Sequence, residues 1–178
     1  FIRVYFCCRE KPDEKGRTIS RVAYVDLSRE NPCEILKIGE KPVLEPGGLG
    51  EFDEFGTYPF SVVRHNNQIY GYFGGITRGE SVPFYASIGC AVSTDDGESF
   101  QKIGPGPVLT ASLHEPYMIC SPKVRIWDGK WYLFYSAGYR WTKESVRPEI
   151  CYKLRMAVSD DGIHWEKCGR NIIKDRLG

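Results

Sequence analysis

The segment Lys37-Ile38-Gly39-Glu40-Lys41-Pro42-Val43-Leu44 decides the fold because it recurs along the chain. It reappears as Lys102-Ile103-Gly104-Pro105-Gly106-Pro107-Val108-Leu109, and a degenerate copy begins at Lys167-Cys168-Gly169. Successive copies lie 65 residues apart. Similar segments at a fixed period indicate a repeat architecture, in which each unit buries its apolar face against its neighbours. The sequence therefore predicts a little under three copies of one structural unit.

Tight turns separate the strand-like runs within each copy. Asn66-Asn67 and Asp128-Gly129 each stand between two runs rich in β-branched and aromatic residues, a pattern that indicates a hairpin. Asp95–Gly97 and Asp160–Gly162 supply further hairpin turns, and we expect the Asp side chains to bond backbone amides of their own turns. Each unit is therefore predicted to contain four short antiparallel strands.

A four-stranded antiparallel sheet that repeats with long loops describes a β-propeller blade. The turn Ser93–Phe100 also resembles the Asp-box of sialidases and related propellers. The sequence therefore predicts an all-β fold, a partial β-propeller of about three blades. The expected boundaries are residues 1–45 for an incomplete blade, 46–110 for the second blade and 111–178 for the third.

The first blade is expected to be incomplete because Phe1–Phe6 corresponds to the second strand of a blade. Its inner strand would lie upstream of residue 1. Propellers typically close with four to eight blades, and an open ring exposes strand edges. We therefore expect a segment of a longer protein, or homo-oligomers that form through the open blade edges.

Composition argues against several classes of function. The net charge is +1, from 24 basic and 23 acidic residues, and no dense Lys/Arg block points to nucleic acid or an anionic membrane. The apolar runs are too short to span a membrane. The seven cysteines show no Cys-x-x-Cys or His/Cys ligand spacing, so we predict free thiols, no metal, no cofactor and a cytoplasmic location.

Ionisable residues concentrate in two segments that precede predicted inner strands, residues 50–59 and 114–122. Inner strands line the central funnel of a propeller, so we predict that Asp53 and Glu115 face this funnel as a catalytic pair. Glycoside hydrolysis needs two such carboxylates, one as general acid and one as base, nucleophile or charge stabiliser. The alternative is that both are solvated loop acids without a catalytic role.

Other residues near the predicted funnel are candidates for substrate binding, because aromatic faces stack on pyranose rings and a phosphorylase would need basic residues that converge on a phosphate. For the aromatic residues of the second strands, the alternative is packing between blades. The predicted substrate-binding residues are Arg9, Tyr58, His114, Tyr117 and Arg140.

Several motifs together carry a resemblance to a known superfamily. They are Arg3-Val-Tyr-Phe6 with Arg9, Gly50-x-Phe-Asp-x-x-Gly56, Ile88-Gly-x-Ala-x-Ser93, Glu115-Pro-Tyr117, Gly129-Lys-Trp131 with Tyr135, and Ser159–Trp165. Nearly the whole chain resembles the five-bladed propeller superfamily of glycoside hydrolase families 43, 32, 68 and 130. It is similar in particular to bacterial glycosylase-like proteins that are often encoded among surface-polysaccharide genes.

The resemblance implies a glycosidase, either a hydrolase or a phosphorylase, that acts on bacterial poly- or oligosaccharide. Two positions depart from the family 43 pattern. Tyr58 precedes Pro59 where that family has a catalytic Asp, and no carboxylate stands near Cys120-Ser121-Pro122, where the general-acid Glu belongs. A carbohydrate-binding propeller without catalysis and a scaffold module are therefore the alternative functions.

Overall fold

The computed structural model describes residues 1–144 and 146–173. These residues form eleven β-strands and no helix. The strands are β1 (Ile2–Arg9), β2 (Ser20–Leu27), β3 (Ile35–Ile38), β4 (Phe60–His65), β5 (Gln68–Arg78), β6 (Phe84–Ser93), β7 (Gln101–Lys102), β8 (Ile119–Trp127), β9 (Lys130–Thr142), β10 (Glu149–Ser159) and β11 (Glu166–Lys167).

The strands form three antiparallel sheets, and each sheet follows the order of its strands along the chain. The first sheet has the order β1-β2-β3, the second β4-β5-β6-β7 and the third β8-β9-β10-β11. Two sheets therefore contain the predicted four strands, and the first contains three. This architecture confirms the predicted all-β fold and partial propeller.

Two of the predicted hairpins close with residues in the left-handed region. Asn66 and Asn67 have φ angles of 46° and 61°, and Asp128 and Gly129 have φ angles of 49° and 76°. A two-residue turn of this kind needs positive φ at both positions, which Asn, Asp and Gly tolerate best. The turn chemistry therefore sets the pairing of β4 with β5 and of β8 with β9.

The Asp-box-like turn between β6 and β7 has the predicted side-chain bonding. Asp95 Oδ1 accepts a hydrogen bond from the Ser99 amide at 3.0 Å, and Ser93 Oγ accepts one from the Gly97 amide at 2.8 Å. The side chains thus satisfy amides that the turn leaves without a backbone partner.

The matching turn between β10 and β11 corrects one prediction. Asp161, and not Asp160, accepts the amide hydrogen bonds there, from Ile163 and His164 at 2.8 Å each. The reason is that this turn is one residue shorter, so that the motif shifts by one position along the chain. Asp160 instead points outward and forms an exposed ion pair with Lys130.

Apolar cores fill the spaces between neighbouring sheets. Phe73 lies in the cluster between the first and second sheets, with Tyr24 and Val43 among its members. Trp131 and Tyr135 lie in the cluster that joins the second and third sheets. These aromatic side chains are buried, so the interpretation of second-strand aromatics as packing between blades is confirmed for them.

A repeated hydrogen bond joins each sheet to the next. The Tyr5 hydroxyl donates to the Gly97 carbonyl at 2.8 Å, and the Tyr72 hydroxyl donates to the Gly162 carbonyl at 2.7 Å. Both glycines have positive φ, and a Cβ at Gly97 would lie 2.1 Å from the Tyr5 hydroxyl oxygen. Only glycine therefore combines this turn geometry with the close approach of the neighbouring sheet.

All seven cysteines are free. Burial raises the pKa of the Cys90 thiol to about 12 and also raises the pKa of Cys120, which makes both thiols poor nucleophiles. Nowhere in residues 1–144 and 146–173 is there a helix that could cross a membrane.

Candidate functional site

The loop before β4 is held against the end of the second sheet. The Phe55 amide donates to the Ile76 carbonyl, and the Ile76 amide donates to the Gly56 carbonyl, both at 3.0 Å. The Thr57 amide donates to the Ser20 carbonyl of the first sheet at 2.9 Å. The backbone thus positions the side chains of residues 50–59 between two sheets.

Asp53 lies in this loop with its side chain fully buried, at 0% exposure. Lys102 Nζ, on β7, lies 2.6 Å from Asp53 Oδ2, and the two groups form an ion pair without a well-aligned hydrogen bond. Burial raises the pKa of Asp53, and Lys102 offsets this effect only in part. Asp53 is therefore a carboxylate whose ionisation the surrounding protein opposes.

Glu115 lies in the loop before β8 and is 3% exposed. Arg155 Nη1 donates to Oε1 and Lys167 Nζ contacts Oε2, both at 2.8 Å, while the Tyr135 hydroxyl lies 3.1 Å from each oxygen. Burial opposes ionisation, but the two cations and the hydroxyl together hold the pKa of Glu115 below its usual value. Glu115 is therefore a well-compensated buried anion.

The two ion pairs occupy matching places in the second and third sheets. Lys102 and Lys167 occupy the same place in the 65-residue period and lie on the last strands of the second and third sheets. Each meets an acid from the loop that precedes the first strand of the same sheet. Each ion pair therefore connects that loop to the far side of its sheet.

The predicted catalytic pair is thus found in two separate clusters. No hydrogen bond or ion pair between residues that the structure describes joins Asp53 to Glu115. Their contacts support a role in holding the two loops. A catalytic role for either acid stays a prediction.

The predicted substrate-binding residues differ in their exposure. Arg9, His114 and Arg140 are exposed, and Tyr58 and Tyr117 are half-buried. Arg9 Nε donates to Ser20 Oγ at 3.3 Å, and Arg140 Cζ lies 5.7 Å from the centroid of the neighbouring Tyr139 ring. Tyr58 packs against the core between the first two sheets. The structure does not bring these five residues together through described contacts.

Sequence reasoning missed the residues that surround the acids, which are Lys102, Lys167, Arg155 and Tyr135. One signal was present, since both lysines open a copy of the repeated motif. The acids are harder to match, because they are 62 residues apart while the lysines are 65 apart. A difference in loop length hides their equivalence.

Comparison by sequence finds relatives of undefined activity. No family model matches the chain. The uncharacterised proteins MT1551 and Rv1502, from two strains of Mycobacterium tuberculosis, are 32% identical over 168 residues. The alignment covers 94% of this chain and 54% of either relative. The chain therefore spans about half the length of the curated relatives that it matches.

Comparison by structure identifies the fold. A family 117 glycoside hydrolase of Zobellia galactanivorans superposes with a TM-score of 0.71 at 14% identity, over 93% of this chain and 50% of that protein. Sucrose-6-phosphate hydrolase of Lactobacillus gasseri gives a TM-score of 0.66 at 18% identity, over 97% of this chain and 33% of that enzyme. The chain has the fold of these glycoside hydrolases.

A third structure extends the same likeness. The family 32 β-fructofuranosidase BmSUC1 of Bombyx mori gives a TM-score of 0.62 at 15% identity, over 93% of this chain and 32% of that enzyme. The predicted resemblance to a glycoside hydrolase superfamily is thereby confirmed at the level of the fold. Because the sequence identities are low, activity does not follow from it.

Proposed function

We propose that this chain belongs to a carbohydrate-active protein of the glycoside hydrolase type, which acts on bacterial poly- or oligosaccharide. The observation that carries the proposal is the superposition of 93–97% of the chain on glycoside hydrolases. The alignment with the bacterial relatives covers only about half of their length. The proposal therefore concerns the whole protein, to which this chain contributes three sheets.

In the hydrolytic version of the proposal, Asp53 and Glu115 divide the two carboxylate roles. Burial raises the pKa of Asp53, which is the direction that a general acid needs, and protonation of Asp53 would have to break its ion pair with Lys102. The pKa of Glu115 is lowered, which suits a base or a charge stabiliser. The proton of Asp53 would pass to the leaving glycosidic oxygen while the Glu115 carboxylate activates water or stabilises the developing positive charge.

Carbohydrate binding without catalysis is the second candidate. It is favoured by the ion pairs of Asp53 and Glu115, because their carboxylate oxygens already face cations inside the protein. It is also favoured by Tyr58, which precedes Pro59 at the position where the family 43 pattern that the sequence resembles has an Asp. In this version, the same face of the propeller holds a sugar chain and breaks no bond.

A product assay separates the two candidates. The purified protein is incubated with bacterial polysaccharides and oligosaccharides, and new reducing ends are measured for the native protein, Asp53→Asn, Glu115→Gln and the surface control Asp160→Asn. Catalysis by the two acids predicts that either substitution abolishes product release by correctly folded protein, while the control retains it. Saturable sugar binding without new reducing ends would instead support the second candidate.

A further inference from the structure

A small cavity lies beside the loop before β4, outside the two acid clusters. It has a volume of about 220 Å³, and its walls include Arg17, Thr18, Phe55, Arg78 and Phe84. It is bounded by the end of β5, the start of β6 and the segment that leads into β2. Sites for drug-sized ligands span roughly 300–1,000 Å³, so this cavity suits a single sugar residue or a smaller group.

Arg78 is the most informative residue of the cavity. Its Cζ atom lies 4.0 Å from the centroid of the Phe55 ring, which is a cation–π stack. A guanidinium stacked by its face keeps its N–H groups free at the edge. No hydrogen bond with a described residue occupies this edge, and the nearest described carboxylate oxygen, Asp13 Oδ2, is 3.8 Å from Nη1.

Asp13 does not satisfy Arg78, because its oxygens serve its own loop. Oδ2 lies 2.9 Å from both Nε and Nη2 of Arg17. Oδ1 accepts the backbone amides of Lys15 at 3.0 Å and Arg17 at 2.8 Å. Two guanidinium groups therefore share one carboxylate beside the cavity.

We propose that this cavity binds the anionic group, a carboxylate or a phosphate, of a charged saccharide. The edge of the Arg78 guanidinium presents paired donors whose spacing matches two oxygens of such a group. Phe84 supplies an apolar wall and Thr18 a hydroxyl for the attached sugar. The inference rests on the proposed function and names its substrate class.

The position of the cavity connects it to the candidate site. Phe55 lies two residues after Asp53 and three before Tyr58, in the same loop. A sugar that is anchored at Arg78 would therefore lie beside the loop that carries the candidate acid and the predicted aromatic residue.

Titration calorimetry with three probes tests the proposal: D-glucuronate, glucose 6-phosphate and uncharged D-glucose. At least one anionic probe should bind about tenfold more tightly than glucose, as expected of a charge-assisted paired contact at a partly exposed site. Added salt should reduce this difference. The tighter of the two anionic probes identifies the carboxylate or the phosphate as the preferred group.

Variants assign the effect to the cavity. Arg78→Gln should weaken binding of the anionic probe about tenfold and leave glucose binding unchanged. Arg78→Lys should have an affinity for the anionic probe between those of the native protein and Arg78→Gln, because lysine keeps the charge but lacks the planar guanidinium group. The matched control is Arg64→Gln, since Arg64 is an exposed arginine of the same sheet that pairs with Asp96. That variant should bind like the native protein.

Either of two results would overturn the proposal. The first is that the anionic probes bind no better than glucose or do not bind. The second is that Arg78→Gln melts like the native protein and binds the anionic probe with native affinity. If neutral oligosaccharides are still bound or cleaved in that case, the proposed function is unaffected. Failure of every saccharide, charged or neutral, would count against both.

Discussion

Asp53 and Glu115 show how similar positions in a repeat acquire different electrostatics. Both are buried acids that meet a lysine on the last strand of their sheet. Glu115 has Arg155 and Tyr135 as additional partners, whereas Asp53 has no well-aligned hydrogen bond. Removing one partner from a compensated buried ion pair leaves uncompensated charge. The two acids should therefore respond differently to substitution.

Glu115→Gln should lower the free energy of unfolding by about 2 kcal/mol, because Arg155 and Lys167 lose a shared anion but keep some contact with solvent. Asp53→Asn should cost about 1 kcal/mol or less, since burial already opposes its charged form. Urea unfolding of both variants measures these values.

The control for this pair is Asp160→Asn, which removes an exposed, solvent-screened ion pair with Lys130 and should leave the free energy of unfolding unchanged within experimental error. Equal destabilisation by all three substitutions would show that the buried clusters do not hold the loops.

The pH dependence of stability should separate the same two residues. The pKa of Glu115 in the folded protein is lowered, so its contribution is complete above about pH 4.3, the unfolded value, and is lost as the pH falls through the folded pKa. The pKa of Asp53 is raised, so its contribution has the opposite sign and declines as the pH rises above about 3.9.

Thermal melts between pH 3 and 7 test this difference. Glu115→Gln should flatten the loss of stability on the acid side, and Asp53→Asn should steepen it. Identical pH profiles for the native protein and Glu115→Gln would show that Glu115 carries no such linkage.

At the level of strands and turns, the 65-residue period predicted much of the structure. The pairs Asn66-Asn67 and Asp128-Gly129 form the expected hairpins because their positive φ angles are a local property of the residues. The sequence did not predict that Asp161, rather than Asp160, accepts the amide hydrogen bonds of its turn. This turn is one residue shorter, so a different side chain faces the amides. Contacts between distant segments, such as Lys102 with Asp53, leave no local pattern.

The hydrogen bond between Tyr72 and Gly162 offers a test of how the sheets are joined. Tyr72→Phe should lower the free energy of unfolding by about 1–2 kcal/mol, because the buried Gly162 carbonyl loses its hydroxyl donor. Tyr70→Phe is the matched control, because the hydrogen bond that the Tyr70 hydroxyl makes to Gln68 among the described residues is long, at 3.5 Å. A Tyr72→Phe protein as stable as the control would mean that apolar packing alone joins the second and third sheets.

At the scale of the whole molecule, the two outermost sheets expose apolar side chains. Ile2, Val4 and Phe6 are exposed on β1, and Trp127 and Leu154 are exposed on the third sheet. Contiguous exposed apolar surface is typical of an interaction face. The chain spans about half the length of its curated relatives and a third to a half of the length of the similar glycoside hydrolases.

The 178-residue chain alone should therefore associate or bind a hydrophobic dye. Light scattering coupled to gel filtration, with a parallel dye titration, should report oligomers or strong dye fluorescence. Ile2→Lys with Val4→Lys should reduce both, while Arg64→Gln, a substitution on an exposed polar position, should change neither. A monodisperse native monomer with no dye binding would contradict this expectation.

A glycan array tests most directly the proposal that the whole protein acts on carbohydrate. The protein is applied to immobilised bacterial polysaccharides and oligosaccharides, both neutral and anionic, and bound protein is competed with the free sugar. We expect saturable binding to a defined subset of glycans, which the free sugar displaces, with anionic glycans among the strongest ligands. Absence of binding to every glycan, by protein that melts cooperatively, would contradict it.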